Sequence, residues 1–185
     1  MANRRRVWDR TWVKGTSTQA ALGGRKTAGP PRLYTLQVFL TGGPVAKKFS
    51  GKEIARTIQM RGDQTLQMLH NAIFKAFNRE EDHFHEFNFG KGPDDREGPR
   101  YTLPSAMKDF MTDEVTAGDV SKTTLDSLGL EVRRAFGYWF DFGDDWRHEI
   151  RVEAIKAAPL KGRFPKVIAR MGESPPQYAD PEDLE

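Results

Sequence analysis

Phe136-Gly-Tyr-Trp-Phe-Asp-Phe-Gly-Asp-Asp-Trp-Arg-His-Glu-Ile-Arg-Val152 packs two Trp, one Tyr, three Phe, one His and three Asp into seventeen residues. Its alternation reads as two β-strands joined at Gly143-Asp144-Asp145. A two-residue turn at Asp144-Asp145 would set Phe136, Tyr138, Phe140 and Phe142 against Arg147, Glu149, Arg151 and Glu153, burying charges on aromatic rings. A three-residue loop pairs Phe142 with Trp146, Phe140 with His148, Tyr138 with Ile150 and Phe136 with Val152, and sets Asp141 against Arg147 on the other face. A slip of one residue moves every side chain to the wrong face, and three-residue hairpin loops are common. Aromatic and opposite-charge cross-strand pairs each contribute roughly 0.2–1 kcal/mol, so the second register is expected. Asp145 then takes the position that often needs a left-handed backbone, which Asp tolerates.

Working outward, the chain has 185 residues, the length of one domain plus tails. Hydrophobic residues make up 37%, enough for a core. No apolar run approaches the ~18 residues of a membrane span, and Arg4-Arg5-Arg6 is not followed by an apolar signal segment. With no cysteine, disulfides, thiolate nucleophiles and Cys-type zinc sites are excluded. A cytoplasmic protein without a cofactor is expected.

Charge is distributed unevenly. Residues 1–32 carry eight Lys or Arg against one Asp, a net of +7, whereas the remainder carries 21 basic and 25 acidic residues, a net of −4. The sequence pI of 9.2 therefore belongs to the tail. A folded nucleic-acid binder usually shows its basic footprint on the domain itself. Residues 1–32 lack any sustained period and read as a disordered tail, with Arg4, Arg5, Arg6, Arg10, Lys14, Arg25 and Lys26 as candidate phosphate contacts. Trp8 and Trp12 could stack on bases beside those cations or anchor at an anionic membrane surface. A solvated tail or a misassigned start codon is the plainer alternative.

Residues 33–40 alternate, with Tyr34, Leu36, Val38 and Leu40 on one face of a strand. Gly42-Gly43-Pro44 ends it. Residues 53–60 alternate again, with Ile54, Ile58 and Met60 sharing a face with Arg56. Thr65 is placed to cap a helix whose stripe is Leu66, Leu69, Ile73, Ala76 and Phe77; His70 sits beside that stripe as a core histidine. Residues 83–89 form a third strand, with His83, His85, Phe87 and Phe89 on one face. Two His at i and i+2 can reach one metal ion, or simply cap an apolar face. Residues 90–100 read as a surface loop, 105–111 as a short helix and 124–130 as a helical turn ended by Gly129. Residues 164–169 suit an edge strand that tolerates Pro165. The expected fold class is therefore α+β: a mostly antiparallel sheet of about five to six strands, one main helix and one or two short helices. It occupies one domain at residues 33–178, followed by a tail at 179–185.

Thr65-Leu66 with Leu69-His70, then Asp82-His83-Phe84-His85-Glu86-Phe87, then Tyr138-x-Phe-Asp-Phe-Gly-Asp-Asp-Trp-x-His-x-Ile150 resembles the plasmid pRiA4b ORF-3-like family. Phe164-Pro165-Lys166-Val167 and residues 172–178 fit its C-terminal part, so the resemblance spans residues 33–178. It implies an α+β domain carried by plasmids, chromosomes and insertion elements, with no established activity. Two departures stand out: many members have Trp-Arg-Arg where this chain has Ile54-Ala55-Arg56, and an acidic, cysteine-bearing Pro-Pro tail where this chain has Pro175-Pro176-Gln177-Tyr178.

An Asp-Phe-Gly triplet without the Gly-rich and His-Arg-Asp segments is not a kinase signature. Asp141, Asp144, Asp145 and His148 could instead bind a hard cation or transfer protons, with Asp144 and His148 as the catalytic candidates and His83 and His85 as the metal candidates. The hairpin register opposes this, because it puts His148 on the aromatic face and Asp141 on the other. Tyr138, Asp141, Phe142, Gly143, Asp144, Trp146 and His148 then form a structural signature, with the carboxylates capping turn amides. The expected function is a binding or accessory module whose basic tail contacts DNA or RNA, with a protein partner for the domain. The alternatives are a metal-binding or acid–base enzyme using the His/Asp cluster, and a domain devoted only to protein interaction.

Overall fold

The computed structural model describes residues 30–80, 83–95, 97–104 and 117–178. The first alternating segment is strand β1 (Arg32–Gly42), and the second is β2 (Ala55–Arg61). Helix α1 (Leu66–Ala76) begins where Thr65 accepts the Met68 backbone N–H at 3.4 Å, satisfying one of the donors that a helix start leaves open. Its buried stripe is Leu66, Leu69, His70, Ile73 and Ala76. Then follow β3 (His85–Asn88), β4 (Arg100–Thr102), β5 (Gly118–Asp119), β6 (Ala135–Phe140), β7 (Trp146–Ala157) and β8 (Lys166–Met171).

These strands form a single sheet in the order β5-β4-β3-β6-β7-β1-β2-β8. β4 and β5 run parallel, and the other neighbours run antiparallel. The expected fold class is corrected on two counts. The sheet has eight strands and is mixed, not five to six, and the described residues are 40% strand against 14% helix. Among the described residues, 3-10 turns occur at Lys47–Phe49 and Leu125–Leu128. The missed strands are the shortest. β4 and β5 have three and two residues, too few for a period of two to show, and they exist because a neighbouring strand offers its backbone groups. The short helix expected at 105–111 lies outside the described residues.

One face of the sheet carries Tyr34, Leu36, Val38, Ile58, Met60, Phe136, Tyr138, Phe140, Trp146, Ile150 and Val152, all buried, and α1 covers it. Trp146 is pressed against Gly43: a Cβ there would come 2.3 Å from the indole Cε3, and the φ of 138° suits glycine. At the other end of β1, Asp126 Oδ1 accepts from Arg32 Nε at 2.8 Å and from the Tyr34 hydroxyl at 3.0 Å.

The central hairpin keeps its expected faces but not its expected register. Phe140 pairs with Trp146, Tyr138 with His148 and Phe136 with Ile150, a two-residue shift from the pairs predicted above. The loop is therefore five residues long, running from Asp141 to Asp145. Asp141 leaves the strand because its own N–H is taken by the Phe84 carbonyl at 3.0 Å. Its φ is 55°, that of Asp145 is 58°, and the Asp145 N–H returns to the Asp141 carbonyl at 2.8 Å. Phe142 thus leaves the core face and stacks on Trp139, with ring centroids 4.1 Å apart.

Candidate functional site

The sequence has four histidines, and the fold gathers three of them around Tyr138. Its ring stands on the inner face of β6, directly opposite His148 of β7, with centroids 5.2 Å apart. His85 projects inward from β3, and α1 lowers His70 onto it so that the two imidazoles stack at 3.6 Å and 8°. The Tyr138 hydroxyl lies 2.8 Å from His70 Nδ1. Phe77, at the end of α1, meets His148 edge-on at 5.0 Å.

These imidazoles are dry. His70 and His85 are 1% exposed and His148 is 3%. Burial lowers the pKa of His70 from its ordinary value to about 4. His148 is lowered to about 3, first by burial and then by the nearby Arg79 cation, with a backbone hydrogen bond at Tyr138 opposing. Both are neutral near pH 7 and act as polar members of the core.

His83 differs. It precedes β3, its side chain is 39% exposed, and its Nε2 lies 3.0 Å from the Tyr178 hydroxyl and 3.6 Å from Asp141 Oδ2. It is separated in direction from His85, which turns inward toward His70 and Phe87. The two metal candidates therefore face different surroundings. No group of three His, Asp or Glu side chains among the described residues is arranged to share a metal ion.

Asp144 and His148 are not brought together. Asp144 stays in the hairpin loop, where its N–H donates to Asp141 Oδ1 at 3.3 Å, while His148 is buried on the inner face. Asp145 accepts from Arg147 Nε at 2.9 Å, and Gly143 is exposed at the loop tip. Asp141, unlike the other two Asp residues, reaches the histidine side of the molecule through His83. The basic residues from Arg4 to Lys26 lie outside the described residues.

Sequence reasoning missed Arg79 and the role of the C-terminal strap, residues 173–178. Arg79 follows α1, is 7% exposed, and lays its guanidinium 3.6 Å over the Trp146 ring. Burial lowers its pKa to about 10, opposed by Tyr138 and Asp141. The strap crosses this region: Arg79 Nη1 donates to the Pro175 carbonyl at 3.5 Å, the Glu80 N–H donates to Gln177 Oε1 at 2.8 Å, and Ser174 Oγ receives Arg56 Nη2. The signal in the sequence was slight: a Pro-Pro segment that excludes a helix, ending in residues that can hydrogen-bond.

The family description "Plasmid pRiA4b ORF-3-like protein" matches residues 45–182. No curated protein matches the chain. Among solved structures, the crystal structure of a protein of unknown function from Methanosarcina mazei Go1 is similar, with a TM-score of 0.60 and 22% identity, covering 80% of this chain and 75% of that one. A likeness at that identity establishes a shared fold and nothing about activity.

Proposed function

This chain belongs to the plasmid pRiA4b ORF-3-like family, and from that premise we propose that it is an accessory binding module of the cytoplasm whose basic N-terminal segment contacts nucleic acid. The observation that carries this reading is the charge division, +7 over residues 1–32 against −4 over the rest. Lys and Arg that neutralise phosphates release condensed counterions, which gives sequence-independent affinity. The domain at residues 33–178 balances 21 basic against 21 acidic residues, so it lacks the basic footprint of a nucleic-acid-binding domain and is left to meet a protein partner. The buried state of the histidine cluster supports binding over acid–base catalysis, since a catalytic imidazole must meet its substrate and His70, His85 and His148 are enclosed in the core.

The test compares the full chain with a variant in which Arg4, Arg5, Arg6, Arg10, Lys14, Arg25 and Lys26 are replaced by Gln. Affinity for duplex DNA and for RNA is titrated between about 50 and about 200 mM salt. The full chain is expected to lose affinity with a log–log slope of about −0.9 per phosphate contact on duplex DNA, and the neutralised variant to lose most of its binding. Equal binding by the two proteins would remove the tail from the account.

A further inference from the structure

Arg79 poses a problem that the binding role does not solve. It is a buried cation whose Nε and Nη2 have no hydrogen-bond partner among the described residues, and its Nη1 has only the long 3.5 Å contact to the Pro175 carbonyl. No carboxylate forms an ion pair with it among the described residues. Beside it, Trp146 Nε1 is also buried without a partner among the described residues. Trp146 occupies an inner-face position of β7, and the Arg79 guanidinium carbon lies 3.6 Å from the centroid of its ring. Buried polar atoms are satisfied in the great majority of native sites, so three such atoms on two neighbouring side chains are a concentration with chemical meaning.

The inventory is one-sided. Guanidinium Nε–H and Nη2–H and the indole N–H are all donors, with no acceptor among them. Donors surrounding a fixed positive charge are the complement of an oxyanion, and a planar guanidinium fork matches phosphate or carboxylate oxygens pairwise. The strap forms the wall over this group. It is held there by separate contacts at Ser174, Pro175 and Gln177.

We infer that Arg79, with Trp146 Nε1, forms a binding site for a small oxyanion, entered when the strap at residues 173–178 lifts. Burial strengthens the interaction, because a desolvated cation gains more from an anion than a solvated one. The site is independent of the basic tail.

The experiment uses the full chain exchanged into chloride buffer, to which inorganic phosphate, sulfate or acetate is added at matched ionic strength. A saturable rise of about 5 °C in the melting midpoint is expected for at least one of them, with a concurrent shift of the Trp146 indole N–H resonance. Phosphate and sulfate acting without acetate would assign a tetrahedral ligand; acetate acting alone would assign a carboxylate. Arg79→Gln is expected to abolish both signals, and Arg79→Lys to weaken them by losing the planar fork. Should either variant fail to fold, the indole shift in the unaltered chain, read alongside the three other Trp residues, decides the matter. Absence of any saturable response, or a response retained in Arg79→Gln, overturns the proposal. Because the probes are small ions, this result does not depend on whether the tail binds nucleic acid.

Discussion

His70 and His148 give up hydration to enter the layer between α1 and the sheet, and burial keeps both neutral near pH 7. Their folded pKa values, about 4 and about 3, lie below the ordinary 6.5. The unfolded chain therefore takes up protons first as pH falls. Stability from these groups is complete above 6.5, is lost progressively below it, and stops falling near pH 4 for His70 and pH 3 for His148. Each contributes a slope of at most ~1.4 kcal/mol per pH unit. Urea midpoints measured from pH 7.5 down to pH 5 should fall, ahead of carboxylates such as Asp63 and Asp119, whose pKa values are held below 3.8 by hydrogen bonds from Arg61 and Ser121 despite opposing desolvation. His148→Gln should flatten the curve; an unchanged slope would mean that His148 is solvated.

At the scale of the element, the β6–β7 loop depends on Asp141 more than on Asp144. Asp141 adopts a left-handed backbone, accepts the Asp144 N–H on its side chain and receives the Asp145 N–H on its carbonyl. Asp144 supplies only its backbone N–H to this arrangement. Asp141→Ala is expected to cost about 1–2 kcal/mol in urea unfolding, and Asp144→Ala less than about 0.5 kcal/mol. Asp141→Asn, which keeps the acceptor and tolerates the same backbone, should fall between them. Equal losses for the two alanine variants would show that the loop is not held from Asp141.

Across the whole molecule, Arg56 joins parts that are far apart in sequence. From β2 it donates to the Ala76 carbonyl at the end of α1, at 2.9 Å, and to the carbonyls of Met171, the last residue of β8, and Gly172 just beyond it, at 2.9 and 3.1 Å. It is 2% exposed and lies 4.8 Å from the Phe77 ring centroid. Removing its donors would take a partner from the Ala55, Met171 and Gly172 carbonyls, whereas the Ala76 carbonyl keeps Arg170 Nη1; a buried acceptor left unsatisfied costs about 1–3 kcal/mol. Arg56→Met should therefore destabilise the fold by about 3 kcal/mol and raise hydrogen exchange in residues 172–178 before the sheet itself opens. Strap protection equal to that of the unaltered chain would show that the strap is held elsewhere.

What the sequence determined by itself was local in origin. The alternation in 33–40 and 136–152 identified the inner faces, Thr65 marked the start of α1, Asp145 took the left-handed position, and Arg56 was assigned to the buried side of its strand. Each follows from a period or from the stereochemistry of one residue. Only the tertiary structure decided the hairpin register, because a two-residue shift leaves every side chain that stays in the strands on its own face and so leaves their hydrophobic pattern unchanged. The strands at 100–102 and 118–119 were equally hidden, since pairing rather than periodicity makes them strands. The meeting of His70, His85 and Tyr138, and the closing of residues 173–178 over Arg79, join positions up to a hundred residues apart, and nothing local in the chain records which distant side chain will complete a buried hydrogen bond.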